Sequence, residues 1–458
     1  MELKEKHILV AGLGRTGVAV TRFLSARGAW VSISDAAPEE THGDVIPEMR
    51  QLGASMEFGG HRLETFTSAD TVVLSPGVPH TIPVILAARE KGIPVIGELE
   101  LSFRFIQEPM IAVTGTNGKT TTTEMLGRML EASGLRVFVC GNIGNPVIEY
   151  LGLDNPVDML VVEVSSFQLD TADTFRPRIG VLLNIAEDHL DRYPDMSAYA
   201  ASKARLFHRH GPGDTAVLNG SDPRIRGIAK GISSRKLVYY GTPHEFSSGA
   251  EGAAVNGRRI TLATRELPNA EIPRRLLNLP GDYNAENAAA SALAAIAAGG
   301  TLDGITAALN MYKGLPHRTE HVATIRGILF FNDSKATNVD AVIRALGSFE
   351  IPVVLILGGR DKGADFTKLN AIVTKRVKHV VAMGEARHAV LSALGESASV
   401  SVATDMTEAV DQAYRVAVAG EAVLLSPACA SFDQYDSYAD RGEDFRRKVT
   451  DLGSGETP

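Results

Sequence analysis

The run Val113-Thr114-Gly115-Thr116-Asn117-Gly118-Lys119-Thr120-Thr121-Thr122 stands between an apolar stretch and a helical one. A glycine-rich turn in that setting is suited to phosphate. Its N–H groups are free of Cβ crowding, the helix start favours anions, a lysine reaches terminal phosphates, and a threonine hydroxyl can touch Mg²⁺. The run departs from the common G-x-x-x-x-G-K-[ST] form in having Val113 where the first glycine would be. Three polar clusters follow: Gly141-Asn142-Ile143-Gly144, Glu163-Val164-Ser165-Ser166-Phe167-Gln168, and Asn184-Ile185-Ala186-Glu187-Asp188-His189-Leu190-Asp191. A carboxylate just past one apolar strand and a histidine past another supply ligands for a hard cation near such a loop. Upstream, Gly12-Leu13-Gly14-Arg15-Thr16-Gly17 with Asp35 further on has the form of a dinucleotide fingerprint. Alone that form is a weak signal, and NAD binding is only one use for it.

These groups need strands that end where they begin. In the first hundred residues short β-branched runs alternate with helical ones: His7 to Ala11, Val18 to Arg27, Trp30 to Ser34, Thr71 to Leu74 and Ile82 to Lys91. That alternation predicts a parallel sheet with helices on its faces. After the segment Glu98 to Phe105 the pattern restarts, with strands expected at Met110 to Thr114, Arg136 to Cys140, Met159 to Val164 and Ile179 to Asn184. Residues 241 to 272 are turn-rich and predict a small β excursion, and a long alanine-rich helix runs from Gly281 to near Gly299. A boundary is expected at Gly314-Leu315-Pro316, followed by strands at Ile328 to Phe331, Val353 to Leu357, His379 to Ala382 and Ala422 to Leu425. The expected organisation is thus three α/β domains, 1–98, 99–314 and 315–458: Rossmann-like, a central P-loop ATPase-type mononucleotide-binding domain, and Rossmann-like again. Ligands of open parallel sheets sit beyond the carboxyl ends of the strands, where all the polar clusters lie.

The 458 residues suffice for three such domains at roughly 150 residues each. No apolar stretch approaches the roughly 20 residues of a membrane span, and the charged start is no secretory signal, so a cytoplasmic protein without membrane insertion is expected. A net charge of −8 and the lack of a dense basic tract argue against nucleic acid as a partner. The two cysteines, Cys140 and Cys429, have neither paired spacing nor an adjacent histidine, which argues against a disulfide framework or a thiolate zinc site.

Taken in order, G-T-N-G-K-T-T, G-N-I-G, E-V-S-S-F-Q-L and N-x-x-E-D-H-x-D resemble the central domain of the Mur ligase family. The resemblance extends through nearly all of the chain: Tyr199 to Arg205, Asn284 with Asn287, Leu315-Pro316-His317-Arg318, Asn332 to Asn338, Leu357 to Gly363, and Ser426 to Asp433. Asn332 to Asn338, Leu357 to Gly363 and Ser426 to Asp433 are similar to the D-glutamate-adding branch. The D-N-P-R tetrad of the diaminopimelate-adding branch is missing from the final domain.

The resemblance implies ATP as co-substrate, bound by Gly115, Thr116, Asn117, Gly118, Lys119, Thr120 and Thr121. Asn287 would face the adenine, and Arg318 and Asp333 would complete the nucleotide site. It implies two Mg²⁺ ions, one held with Thr120 and Glu163, the other by His189 and a carbamate formed on Lys203. Lys119, Glu163, His189 and Lys203 are thereby the implied catalytic set. The UDP substrate would be received by Gly14, Arg15, Thr16, Ser75 and Gly77, with Asp35 near the uracil and Asn142 toward the muramoyl end. Lys335, Thr337, Lys362, Ser431, Phe432 and Tyr438 would meet the carboxylates of D-glutamate, since two anionic groups require cationic and hydroxyl partners.

The implied reaction joins UDP-N-acetylmuramoyl-L-alanine and D-glutamate in peptidoglycan precursor synthesis. It proceeds through an acyl phosphate and a tetrahedral intermediate on a monomeric enzyme. The alternative is another amino-acid-adding ligase of the Mur and folylpolyglutamate synthase superfamily. A nucleotide-gated binding protein is a rival of a different class.

Overall fold

The computed structural model describes residues 1–190, 192–233, 236–241, 251–277, 279, 281–361 and 363–454, except for the side chain of Ser454. It contains three sheets. The first is five-stranded and parallel, in the order Ser55–Glu57, Trp30–Ser34, His7–Ala11, Thr71–Leu74, Val95–Gly97. The chain turns outward in opposite directions from the two middle strands, so a crevice opens where Gly12-Leu13-Gly14 and Ser75-Pro76-Gly77 leave the sheet. Ile8, Leu9, Val72 and Ile33 are fully buried, each worth about 1.5–3 kcal/mol of apolar transfer.

The second sheet is nine-stranded. It runs parallel from Val137–Gly141 through Met159–Glu163, Met110–Thr114, Ile179–Leu182, Thr215–Asn219 and Lys236–Gly241 to Gly252–Val255. Arg259–Ala263 then pairs antiparallel, and Ala270–Pro273 closes the edge. The expected β excursion corresponds to these last strands; its residues 242–250 lie outside the described ones. Met110–Thr114 sits between Met159–Glu163 and Ile179–Leu182, so the glycine-rich loop, Glu163 and Asn184 emerge at neighbouring carboxyl ends. The alanine-rich helix Asp282–Ala297 follows, with Ala288, Ala289, Ala292 and Ala295 fully buried; such small side chains let backbones approach closely.

The third sheet is six-stranded, in the order Glu320–Ile325, Ile328–Asn332, Ala422–Leu425, Val353–Gly358, Val377–Met383, Ser399–Val402. Only its first strand is antiparallel to its neighbour. The run Val353 to Leu357 is buried throughout, as strands covered on both faces require. By packing, the chain gathers into two compact units. One comprises 1–184, 200–272 and 287–309, and so carries both the first and second sheets; the other comprises 185–199, 273–286 and 310–458.

Candidate active site

Gly115 and Gly118 both take positive φ, 155° and 86°, at the two ends of the glycine-rich loop. A side chain at either would collide: a Cβ on Gly118 would lie 2.5 Å from Asn287 Oδ1, and one on Gly115 would lie 2.9 Å from Leu183 Cβ. The helix Lys119–Ala132 starts directly at the lysine, so its first N–H groups face the loop rather than a preceding turn. Lys119 Nζ donates to Gly115 O at 3.0 Å and Thr116 O at 2.9 Å. Asn287 is thus brought beside the loop by the buried alanine-rich helix, which is further tied by Ser291 Oγ donating to Thr122 O.

On the adjacent strand Glu163 is buried, and its Oε1 accepts from Asn142 Nδ2 at 3.1 Å. Gly141, φ 119°, allows this approach, since a Cβ there would lie 2.1 Å from Glu163 O. Part of the following motif is structural: Ser165 and Gln168 form a reciprocal capping box that starts the helix Ser166–Asp170. Ser166 O in turn accepts from Ser202 Oγ, which fixes the residue beside Lys203. Lys203 is 1% exposed, and its Nζ donates to Gly115 O at 2.8 Å.

At the crevice of the first sheet, Ser75 Oγ donates to Gly12 O, and a Cβ on Gly17 would fall 1.9 Å from that same oxygen. Gly14 and Arg15 are exposed there, Thr16 and Ser75 half-buried, and Gly77 exposed. Asp35 Oδ2 accepts from Leu13 N–H at 2.6 Å and Oδ1 from Ala37 N–H at 2.8 Å. Burial pushes its carboxyl up, but those two N–H donors together with His42 hold it below the ordinary value. The side chain therefore shapes the turn, while Ala36 and Ala37 bring no polar side chains of their own. Arg15 Nη2 donates to Asn145 Oδ1 at 2.6 Å, linking this turn to the Gly141–Gly144 loop.

In the other unit His189 takes a left-handed conformation, φ 56°, which a residue with a Cβ adopts at a cost. Its N–H donates to Asp188 Oδ1, and Asp188 Oδ2 accepts from Asn338 Nδ2 at 3.1 Å. Asp191 lies outside the described residues. Asp333 Oδ1 accepts from Thr319 N–H at 3.0 Å and Oδ2 from Ser426 Oγ at 2.8 Å. Burial lifts its carboxyl to about 6 against the opposing pull of Ser426, Thr319 and Arg318. His317 and Thr319 flank Arg318 with φ of 62° and 45°, so the three-residue bend is held by its hydrogen bonds rather than by glycine. Tyr283, half-buried, faces Asp333, Arg318 and Thr319.

Lys335 Nζ lies 3.7 Å over the Tyr438 ring. Thr337 and Tyr438 are half-buried, Ser431 is buried and Phe432 is 59% exposed. Lys362 lies outside the described residues. A residue that sequence reading missed organises this group. Arg441, buried, donates to Ser334 Oγ and O, Cys429 O and Ala430 O, tying the segment before Lys335 to the one before Ser431. Burial lowers its guanidinium to about 10. Its signal was an arginine in register with Phe445 and Val449 on the buried stripe of the helix Tyr438–Ser454.

Parallel α/β sheets whose carboxyl ends carry a glycine-rich loop at a helix start, a buried carboxylate and a buried lysine have the form of a nucleotide-using α/β enzyme. Comparison with known proteins makes this specific. Residues 6–97 match the N-terminal domain of MurD-like Mur ligases, 113–295 the Mur ligase middle domain, and 317–429 the Mur ligase glutamate ligase domain. The chain belongs to the Mur ligase family. It is 48% identical over 456 residues to the UDP-N-acetylmuramoylalanine–D-glutamate ligase of Desulfosudis oleivorans, covering 100% of this chain and 98% of the relative. The protein of the same name from Desulfatibacillum aliphaticivorans is also 48% identical, over 99% of this chain and 100% of its own. Among solved structures, the pseudomurein peptide ligase type C of Methanothermus fervidus superposes with a TM-score of 0.62 at 20% identity, over 98% of this chain and 100% of its own. The UDP-N-acetylmuramate-alanine ligase of Thermotoga maritima also gives 0.62, at 18% identity and over 99% and 100%. The three-domain α/β fold is that of the family. No helix among the described residues is long and apolar enough to cross a membrane.

Proposed function

We propose that this chain joins D-glutamate to the L-alanyl carboxylate of UDP-N-acetylmuramoyl-L-alanine at the expense of ATP, in peptidoglycan precursor synthesis. The observation that carries the reading is the 48% identity to ligases of that name over the whole chain, because it spans the third sheet, where the amino acid would be chosen. With it goes the division into domains 1–98, 99–314 and 315–458, acting as a cytoplasmic monomer.

A carboxylate oxygen leaves poorly, so the carboxylate is first phosphorylated. In the proposed chemistry Lys119 and the N–H groups at the start of its helix hold the terminal phosphates, and the γ-phosphoryl passes to the L-alanyl carboxylate as an acyl phosphate. The D-glutamate amine attacks, and the tetrahedral intermediate expels phosphate, leaving the amide and ADP. Mg²⁺ is general to the family and neutralises phosphate charge when bound. Thr120 and Glu163 fit one such ion. Among the described residues no three His, Cys, Asp or Glu gather as a metal cage, and a single carboxylate with a hydroxyl suits a cation that completes its shell with phosphate and water.

Lys203 is proposed to carry the second magnesium as a carbamate: its neutral amine adds to CO₂, the N–C bond forms and a proton leaves. A buried ammonium beside Lys119 is thereby exchanged for an oxygen ligand, joined by His189. Asn287, Arg318 and Asp333 would hold the nucleoside. Gly14, Arg15, Thr16, Ser75 and Gly77 would hold the UDP, with Asp35 shaping the turn and Asn142 toward the muramoyl group. Lys335, Thr337, Lys362, Ser431, Phe432 and Tyr438 would hold D-glutamate. The test is ADP release by purified protein with Mg²⁺ and UDP-N-acetylmuramoyl-L-alanine, comparing D-glutamate with L-glutamate, L-alanine and a folate acceptor. Turnover only with D-glutamate supports the reading; turnover with a folate acceptor would transfer the chain to the alternative ligase class.

A further inference from the structure

The strand Ile179–Leu182 ends two residues before Asn184, yet the ladder it forms with Met110–Thr114 does not stop there. Leu183 N–H donates to Thr114 O at 3.0 Å, and Thr116 N–H donates to Asn184 O at 2.9 Å. The side chain then takes over from the backbone. Asn117 N–H donates to Asn184 Oδ1, and Asn184 Nδ2 donates to Asn117 O, both at 2.9 Å. The carboxamide thus imitates the next peptide group of a neighbouring strand. Only asparagine offers a donor and an acceptor at this reach, because aspartate accepts only and glutamine is a methylene longer.

We propose that Asn184 is a positioning residue for nucleotide turnover, a side-chain splint that holds Thr116 and Asn117 in the shape from which the loop binds phosphate. This rests on the reading of the loop as the nucleotide site. The segment it holds lies between two glycines, Gly115 and Gly118, where the chain has most freedom to lose. Fixing backbone residues costs conformational entropy, so a loop ordered before nucleotide arrives binds it more tightly. The splint also decides which groups serve the phosphates. The N–H groups of Thr116 and Asn117 turn to Asn184, which leaves the helix start at Lys119 as the phosphate-facing end. It further fixes Gly115, whose carbonyl accepts from both Lys119 and Lys203.

The test titrates the full chain with Mg-ADP and, as a control on folding, with UDP-N-acetylmuramoyl-L-alanine. Asn184→Ala is expected to weaken ADP about tenfold or more and to raise the KM for ATP, with UDP-substrate binding within about twofold of wild type. Asn184→Asp is expected to weaken ADP near pH 8, where a carboxylate opposes Asn117 O. It should recover as the pH falls and the protonated acid donates to that oxygen, a profile absent from wild type. ADP affinity unchanged in Asn184→Ala, or no recovery in Asn184→Asp, would overturn the splint. Should the alanine variant fail to fold, the aspartate pH profile decides alone. A wild-type chain that binds no ADP would instead remove the nucleotide reading itself, and the splint with it.

Discussion

Lys119 and Lys203 donate to one and the same oxygen, Gly115 O, at 3.0 and 2.8 Å. The first begins the helix at the phosphate loop, and the second is 88 residues away in sequence from the carbonyl it meets. The two side chains thus meet at one carbonyl, where the proposed phosphate of the nucleotide and the proposed carbamate on Lys203 would lie close together.

Lys119→Ala should therefore cut ATP turnover by a factor on the order of a thousand, as loss of a charge-stabilising donor does. Binding of the UDP substrate should stay within about twofold, because that ligand's crevice belongs to the first sheet. Steady-state ADP release and an equilibrium titration check the two halves, and near-normal turnover would remove the lysine from its proposed role.

Lys203→Ala should be inactive and regain part of its activity with added short-chain carboxylic acids, which can occupy the space of a carbamate. The assay is ADP release against acid concentration. An inactive variant with no rescue would leave the lysine a structural cation on Gly115 O.

Asp333 makes a prediction with a sign. Burial raises its carboxyl from 3.8 to about 6, so the folded chain holds this proton more tightly than the unfolded one. Its stability contribution is complete below about pH 3.8, falls as pH rises through about 6, and stays lost above, a difference on the order of 3 kcal/mol. Asp333→Asn removes that titration. Its Tm minus that of wild type should grow from about pH 4 to about pH 6 and level above, while nucleotide affinity falls. A gap that shrinks with rising pH would contradict the assignment.

Glu100, fully buried, accepts from the N–H groups of Asp173, Thr174 and Phe175, the Thr174 hydroxyl and Arg104 Nε. Glu100→Ala leaves those donors without their acceptor and should cost about 3–5 kcal/mol. A lower midpoint in denaturant is the readout; an unchanged midpoint would mean that water replaces the carboxylate.

The strands that end at chemistry were legible because an apolar run bounded by glycine or polar residues has few other readings. His7–Ala11, Met110–Thr114 and Ala422–Leu425 came out to the residue. Ser55–Glu57 and Val95–Gly97 did not, since three residues carry no period. The helix at Arg15 was expected three residues late, because Gly14 caps it without a side-chain signal. Of the candidate site, residue types inside motifs were legible, whereas partnerships were not. Asn184 with Asn117 and Arg441 with Ser334 join positions 67 and 107 apart, and no local pattern encodes them.

The most direct test of the account follows one oxygen atom. With the L-alanyl carboxylate of UDP-N-acetylmuramoyl-L-alanine labelled by a heavy oxygen isotope, phosphate released in the presence of ATP, Mg²⁺ and D-glutamate should carry one labelled oxygen. Phosphate released without label would contradict phosphorylation of the carboxylate and, with it, the proposed use of the phosphate loop.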